Sequence, residues 1–207
     1  MKKTKAKKPV FLSGTVVSGL GKGRYFMRQE GYRKQFIKKK VALFIDRMEQ
    51  ELRIVEKRVL ELLKAGKVMQ IATSVNGAPH ISNVWFGYDS MLNLYFISRK
   101  DLPHSREIRK NPKVAGSIIN PRYSVPGKPV LGMTFKGRAK ELDSDESKEA
   151  YELYRKRYFK SRLSLDMFLK KTSMRKMYRI TPKEYMLFDE IDFPEQPRHG
   201  IRIRRRR

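Results

Sequence analysis

The sequence predicts a small antiparallel β-barrel with helical caps, an α+β fold in which strands dominate. Three observations predict it. Short apolar runs of strand length recur at close spacing, separated by turn residues. Asn76-Gly77 joins two of these runs, and Asn-Gly between β-rich segments is the strongest local hairpin signal. Two segments, 41–65 and 144–159, instead place their apolar residues at helical spacing.

Taken in order, residues 1–10 read as a disordered basic tail, with five lysines in the first eight positions. Residues 11–40 read as an appendage: a β-like run at Gly14 to Ser18, a glycine-rich turn, then a polar-aromatic segment. From Val41 to Ala65 the residues Phe44, Ile45, Met48, Leu52, Val55, Val59, Leu62 and Leu63 form one helical stripe. Gly66 is a natural stop, because glycine accepts the left-handed conformation that ends helices. The stripe is expected to cover one open end of the barrel. Strands are expected at 68–75, 79–88, 92–98, 113–119 and 130–142, the last bent at Gly137. A short helix is expected at 104–110. Asp143 with Glu146 three residues on has the form of a capping box and opens the helix at 144–159. A further helical segment is expected at 164–171. A last strand at 176–180 leads through Thr181-Pro182 to another at 185–191. The globular barrel domain is therefore placed at 41–192, with a basic tail at 193–207.

Composition limits the chemistry. The chain has no cysteine, which excludes disulfides, thiolate zinc sites and cysteine nucleophiles. His80, His104 and His199 lie on separate segments without metal-ligand spacing, so no metal site is expected. No apolar run reaches the roughly 20 residues of a membrane helix, and no signal-type segment follows the basic N-terminus. The reading is a cytoplasmic protein without membrane contact. The formal net charge of +27 is extreme for a small-molecule enzyme and attracts polyanions through counterion release. Much of it lies in the two tails, which points to a weak nucleic-acid contact there.

The region Gln70 to Pro112 is the most informative. Its three strand-like runs deliver Ser98, Arg99, Lys100, His104, Ser105 and Arg106 to one end of a sheet. Cations, hydroxyls and a helix N-terminus together suit a phosphate group. No residue stands out as a general base, so the sequence names no catalytic residue.

Four stretches also resemble a known family. These are ATSVNGAPHISNVWFGYD; LYFIS with HSREIRKNPKVAGSI; GMTFKGRAKELDSDESKEAYELYRKRY; and MYRITPKEYMLFD. In order and spacing they resemble the FMN-binding split-barrel proteins related to pyridoxamine 5'-phosphate oxidase, over residues about 50–192. The resemblance implies a six-stranded antiparallel split barrel that forms a homodimer and binds FMN between its subunits. It implies that Ser98, Arg99, His104 and Ser105 hold the phosphate, and that Ser82, Asn83, Val84 and Trp85 lie along the isoalloxazine ring. It also implies an FMN-dependent oxidoreductase acting on a small-molecule redox substrate. The C-terminal end departs from the oxidase's substrate-binding arginine and histidine pattern, although Arg198 and His199 are present. Oxidation of pyridoxamine phosphate itself is therefore not expected.

A second resemblance covers SGTVVSGLGKGRYFMRQEGYRKQF, residues 13–36, which is similar to the opening of the archaeal CTP-dependent riboflavin kinase. Gly19, Gly21 and Gly23 would match that family's nucleotide-phosphate loop. The match is confined to this stretch, so it reads as an appendage. Two other function classes stay open at this point: a basic RNA- or ribosome-associated protein on a non-catalytic split barrel, and a flavin carrier.

Overall fold

The computed structural model describes residues 23–120, 125–158 and 173–203. The Gly14 to Ser18 run, Gly19, Gly21 and the helix expected at 164–171 lie outside them. The chain divides into two compact units, Met1–Gln50 and Glu51–Arg207. The elements in order are α1 (Gly23–Ala65), β1 (Val68–Val75), β2 (Ala78–Tyr88), β3 (Leu94–Arg99), α2 (Pro103–Lys110), β4 (Lys113–Ile119), β5 (Leu131–Glu141), α3 (Ser144–Arg157), β6 (Arg175–Asp189) and β7 (Arg198–Arg202).

The strands form one antiparallel sheet in the order β3-β2-β1-β4-β5-β6-β7. In addition β3 pairs β6, from Leu94↔Ile180 to Arg99↔Arg175. Six strands therefore close on themselves, and β7 hangs on the outside of β6. Closure explains much of the strand composition: most inward positions are apolar and most outward ones polar or small, with Ile81, Trp85 and Ile119 as outward exceptions. The interior holds Met69, Ile71, Phe86, Leu94, Phe96, Ile118, Phe135, Tyr178 and Leu187, all essentially inaccessible. Gly116 marks the tightest approach. A Cβ there would sit 2.3 Å from both the Gln70 carbonyl oxygen and the Phe135 ring.

The hairpin forms as the dipeptide predicts. Asn76 and Gly77 have φ of 52° and 80°, the positive values of a type I′ turn. Asp143 caps α3, accepting from the amides of Asp145 and Glu146 at 3.1 and 3.0 Å.

Four expectations need correction. The helix expected from 41 starts at Gly23, because the intervening Lys, Arg and Gln residues are good helix formers. Only the last turns of its stripe cover the barrel: Val55, Val59, Leu62 and Leu63 are buried, whereas Phe44, Ile45, Met48 and Leu52 are exposed. The two strands expected around Thr181-Pro182 are one, β6. A register shift between Lys136 and Gly137 absorbs the proline, which faces Gly137 and needs no ladder hydrogen bond. Last, part of the expected basic tail is the strand β7. Its alternation of His199, Ile201 and Ile203 with Arg198, Gly200 and Arg202 is masked by the arginines.

An ion-pair cluster secures the lower part of α1. Arg58 donates to Asp192 at 2.7 Å and to Glu61 at 2.8 Å. It also lies 3.1 Å from the fully buried Asp189 side chain, a pairing of charges without hydrogen-bond alignment.

Candidate functional site

Three elements meet at one end of the barrel. β2 alternates strictly, so His80, Ser82, Val84 and Phe86 turn inward while Ile81, Asn83 and Trp85 turn outward. β3 places Ser98 on the inner face and Arg99 on the outer. α2 begins with Pro103, whose fixed φ suits a first helical turn, and buries His104, Ser105 and Ile108.

These placements build a small polar chamber. His104 is 6% exposed, and each ring nitrogen meets a serine. Ser82 Oγ lies 3.0 Å from Nδ1 and Ser98 Oγ lies 2.7 Å from Nε2. A neutral imidazole satisfies both contacts, donating through one nitrogen and accepting through the other. Burial pushes the His104 pKa down, His80 nearby adds to the effect, and Glu107 opposes it. The neutral ring is the favoured form.

A second group adjoins the first. The Glu107 carboxylate accepts from the buried Thr73 hydroxyl and from His80 Nδ1 at 3.1 Å. The Thr73 bond is the main cause holding that carboxyl below its usual range. His80 stacks on His104 with centroids 6.4 Å apart. Ser105 lies beside this network, fully buried, and its hydroxyl makes no well-formed hydrogen bond. Burial pushes the neighbouring Tyr178 phenol up to about 12, and Ser105 is the next influence, pulling it down. A buried hydroxyl without a partner costs about 1–3 kcal/mol.

The predicted residues thus separate into groups. Ser82, Ser98 and His104 are in contact, with Ser105 next along the helix. Val84 is buried in the core. Asn83 and Trp85 lie on the opposite face of β2, and Trp85 packs edge-on against Tyr158 at 5.4 Å. Arg99 is on the surface in a two-pronged pair with Asp101, at 3.0 and 2.7 Å. Four consecutive strand residues therefore do not share one face. Thr73, His80 and Glu107 went unnamed in the sequence because 34 residues separate the Thr73 and Glu107 side chains that meet. The one usable signal was parity: His80 is two residues from Ser82 on the same strand face.

The outer face is the reverse. Ile81, Trp85 and Ile119 are 67%, 56% and 46% exposed. Register sets Ile81 beside Ala72 and Ala115, and Trp85 beside Val68, so two apolar rows cross this face on either side of the polar row Asn83, Gln70 and Ser117. Among the described residues no group of His, Asp or Glu is arranged to hold a metal ion, and no helix is long and apolar enough to cross a membrane.

A six-stranded closed sheet with this connectivity and an inner polar cluster beside α2 defines a split barrel. Residues 55–188 match the family described as Pyridoxamine 5'-phosphate oxidase, and the chain belongs to that family. The UPF0306 protein PM1958 of Pasteurella multocida (strain Pm70) is 30% identical over 103 residues, which is 49% of this chain and 68% of that protein. Campylobacter jejuni ChuZ is similar in structure, with a TM-score of 0.58 and 14% identity, covering 72% of this chain and 59% of that one. General Stress Protein 26 from Bacillus anthracis str. Sterne has a TM-score of 0.50 at 15% identity, covering 72% of this chain and 98% of that one. At these identities the two structures speak to the fold alone.

Proposed function

We propose that this chain is an FMN-binding flavoprotein, an oxidoreductase that works as a homodimer on a small-molecule redox substrate. The observation that carries the reading is the buried hydroxyl and imidazole cluster of Ser82, Ser98 and His104, with the Ser105 hydroxyl left over. Hydroxyls are donors that an anionic oxygen takes well, and an unmatched buried donor is what a missing acceptor leaves behind. Ser98, His104 and Ser105 would hold the phosphate, Arg99 would supply charge at the rim, and Asn83 and Trp85, on the outer face of β2, would serve the ring, whereas Val84 is left to the core. When bound, FMN supplies hydride transfer at its N5 position. The chain contributes positioning, exclusion of water and a neutral imidazole whose proton sits between two serines. The exposed side chains of Ile81, Trp85 and Ile119 on one outer face support the homodimer, since exposed apolar surface marks association sites.

The test is a visible spectrum of the purified protein with mass spectrometry of the extracted ligand. Flavin absorbance and the mass of FMN are expected. Ser98→Ala with His104→Ala should lower FMN retention at least about tenfold, equivalent to 1.4 kcal/mol. Protein refolded with excess FMN that leaves gel filtration colourless would sink the proposal.

One observation favours a second reading, polyanion binding in a cytoplasmic setting. Lys113 and Arg138 face each other across β4 and β5, both exposed and without an acidic partner among the described residues. Like charges in that register destabilise a sheet unless an anion bridges them. Removing residues 1–10 and 204–207, which leaves β7 in place, should weaken salt-sensitive RNA binding strongly; unchanged affinity speaks against these segments as the site. A flavin carrier is separated from an oxidoreductase by adding reduced nicotinamide cofactor and following bleaching of the flavin.

A further inference from the structure

We propose that the open edge of β7 is a docking site for an extended partner peptide that alternates acidic and apolar residues. This inference is independent of the flavin reading and concerns a different part of the barrel.

Among the described residues β7 ends the sheet and pairs only with β6. The Ile203 amide donates to the Lys183 carbonyl at 3.0 Å, and the Asp189 amide donates to the Pro197 carbonyl at 2.9 Å. The odd-numbered positions of this segment therefore spend their backbone groups on β6. Arg198, Gly200 and Arg202 turn their N–H and C=O groups to the open side, where no backbone partner occurs among the described residues. Such a row is a template for one more strand.

Beside this edge runs a groove of about 940 Å³. Leu52 and Leu60 of α1, Met91 and Leu92 of the β2–β3 turn, and Gly200 and Ile201 of β7 are among its walls. Leu52, Leu60 and Met91 are 48%, 49% and 57% exposed. Leu92 adds an independent mark. Its φ is 60°, a conformation that leucine avoids. It is held there by its amide bond to the Asp89 carbonyl at 3.1 Å and by the Tyr185 hydroxyl on its own carbonyl at 2.8 Å. Strained residues held in place by their surroundings cluster at binding sites.

Charge selects the occupant. Arg198 and Arg202 are exposed on the edge and form no ion pair among the described residues (Glu184, opposite Arg202, pairs with Lys136), and Glu56 is the one acid lining the groove. A second copy is disfavoured: antiparallel self-pairing about Gly200 would set Arg198 against the Arg202 of the other copy. An acidic strand meets opposite charges in the same register. Its alternate residues face the apolar groove, because successive side chains of a strand point to opposite sides.

The experiment uses full-length protein and fluorescein-labelled, end-blocked peptides of sequence EVEIEVE, KVKIKVK and EVEPEVE, with binding read by anisotropy. EVEIEVE is expected to bind, and the other two at least about tenfold more weakly. On the protein, Gly200→Pro removes one outward amide and Leu60→Glu charges the groove wall. Each should weaken EVEIEVE at least about fivefold, while removal of residues 1–10 should not. Amide shifts in the wild-type protein should centre on Gly200 and Arg202, which keeps the proposal testable should a variant fail to fold. The proposal is overturned if EVEIEVE does not bind, if KVKIKVK binds equally, or if both variants bind as wild type. Amide shifts centred elsewhere would overturn it too.

Discussion

The two faces of β2 lie one residue apart and could hardly differ more. Inward, Ser82 is locked to His104, Val84 and Phe86 are buried, and almost every polar atom has a partner. Outward, Ile81 and Trp85 are bare and Asn83 is exposed. The inner face is an answer already complete within one chain. The outer face is an unfinished surface, and its apolar character calls for a partner. Stability therefore belongs to one parity of the strand, and the proposed association to the other.

The largest expected effect breaks the inner face. Phe86→Ala removes a fully buried ring and should cost about 3–5 kcal/mol in urea denaturation. Ile81→Lys, one face over, should leave monomer stability within about 0.5 kcal/mol and dissociate the proposed homodimer in sedimentation velocity. If Ile81→Lys keeps the wild-type mass, association does not use this face. Gly116→Ala sits between these in size. Its methyl would press on the Gln70 carbonyl and the Phe135 ring, costing about 1–3 kcal/mol as overpacking does.

That contrast also explains what the sequence could and could not reveal. β1 was placed residue for residue, the ends of β2 and β3 to within two residues, and the Asn76-Gly77 turn was read correctly. Local pattern and turn chemistry decide such features. The start of α1 was not legible, because Lys- and Arg-rich sequence with no break permits a helix without announcing one. β7 was hidden in a basic segment whose strand character depends on β6 supplying the other half of the ladder. The pairing of Ser82 and Ser98 with His104 follows from closure of the barrel, which brings β2, β3 and α2 together. The separation of Arg99 from Ser98, and of Trp85 from Val84, follows from parity alone, and strict alternation within LYFISR and ISNVWF already contained it. Thr73 and Glu107 meet only through the fold, so no spacing rule could have joined them.

The smallest effect sharpens the contrast through pH. His104 is favoured as the neutral ring in the folded protein, with its pKa lowered first by burial and then by His80, against the pull of Glu107. An unfolded histidine titrates near about 6.5. Between the lowered folded value and about 6.5, the unfolded chain binds more protons than the folded one, so stability rises with pH there. The neutral-ring contribution is complete above about 6.5 and is lost as pH falls through the folded value. Glu107 acts in the same direction at lower pH, because its lowered carboxyl pKa gives stability that acid removes. Urea midpoints measured from pH 8 downward should fall below about 6.5, and the His104→Asn variant should show a flatter curve over that first step. An anion seated on Ser98, His104 and Ser105 must favour the charged ring, so FMN or inorganic phosphate should move the His104 titration upward in a proton NMR series. A titration that ignores both ligands while binding is measured independently would place the phosphate somewhere other than this chamber.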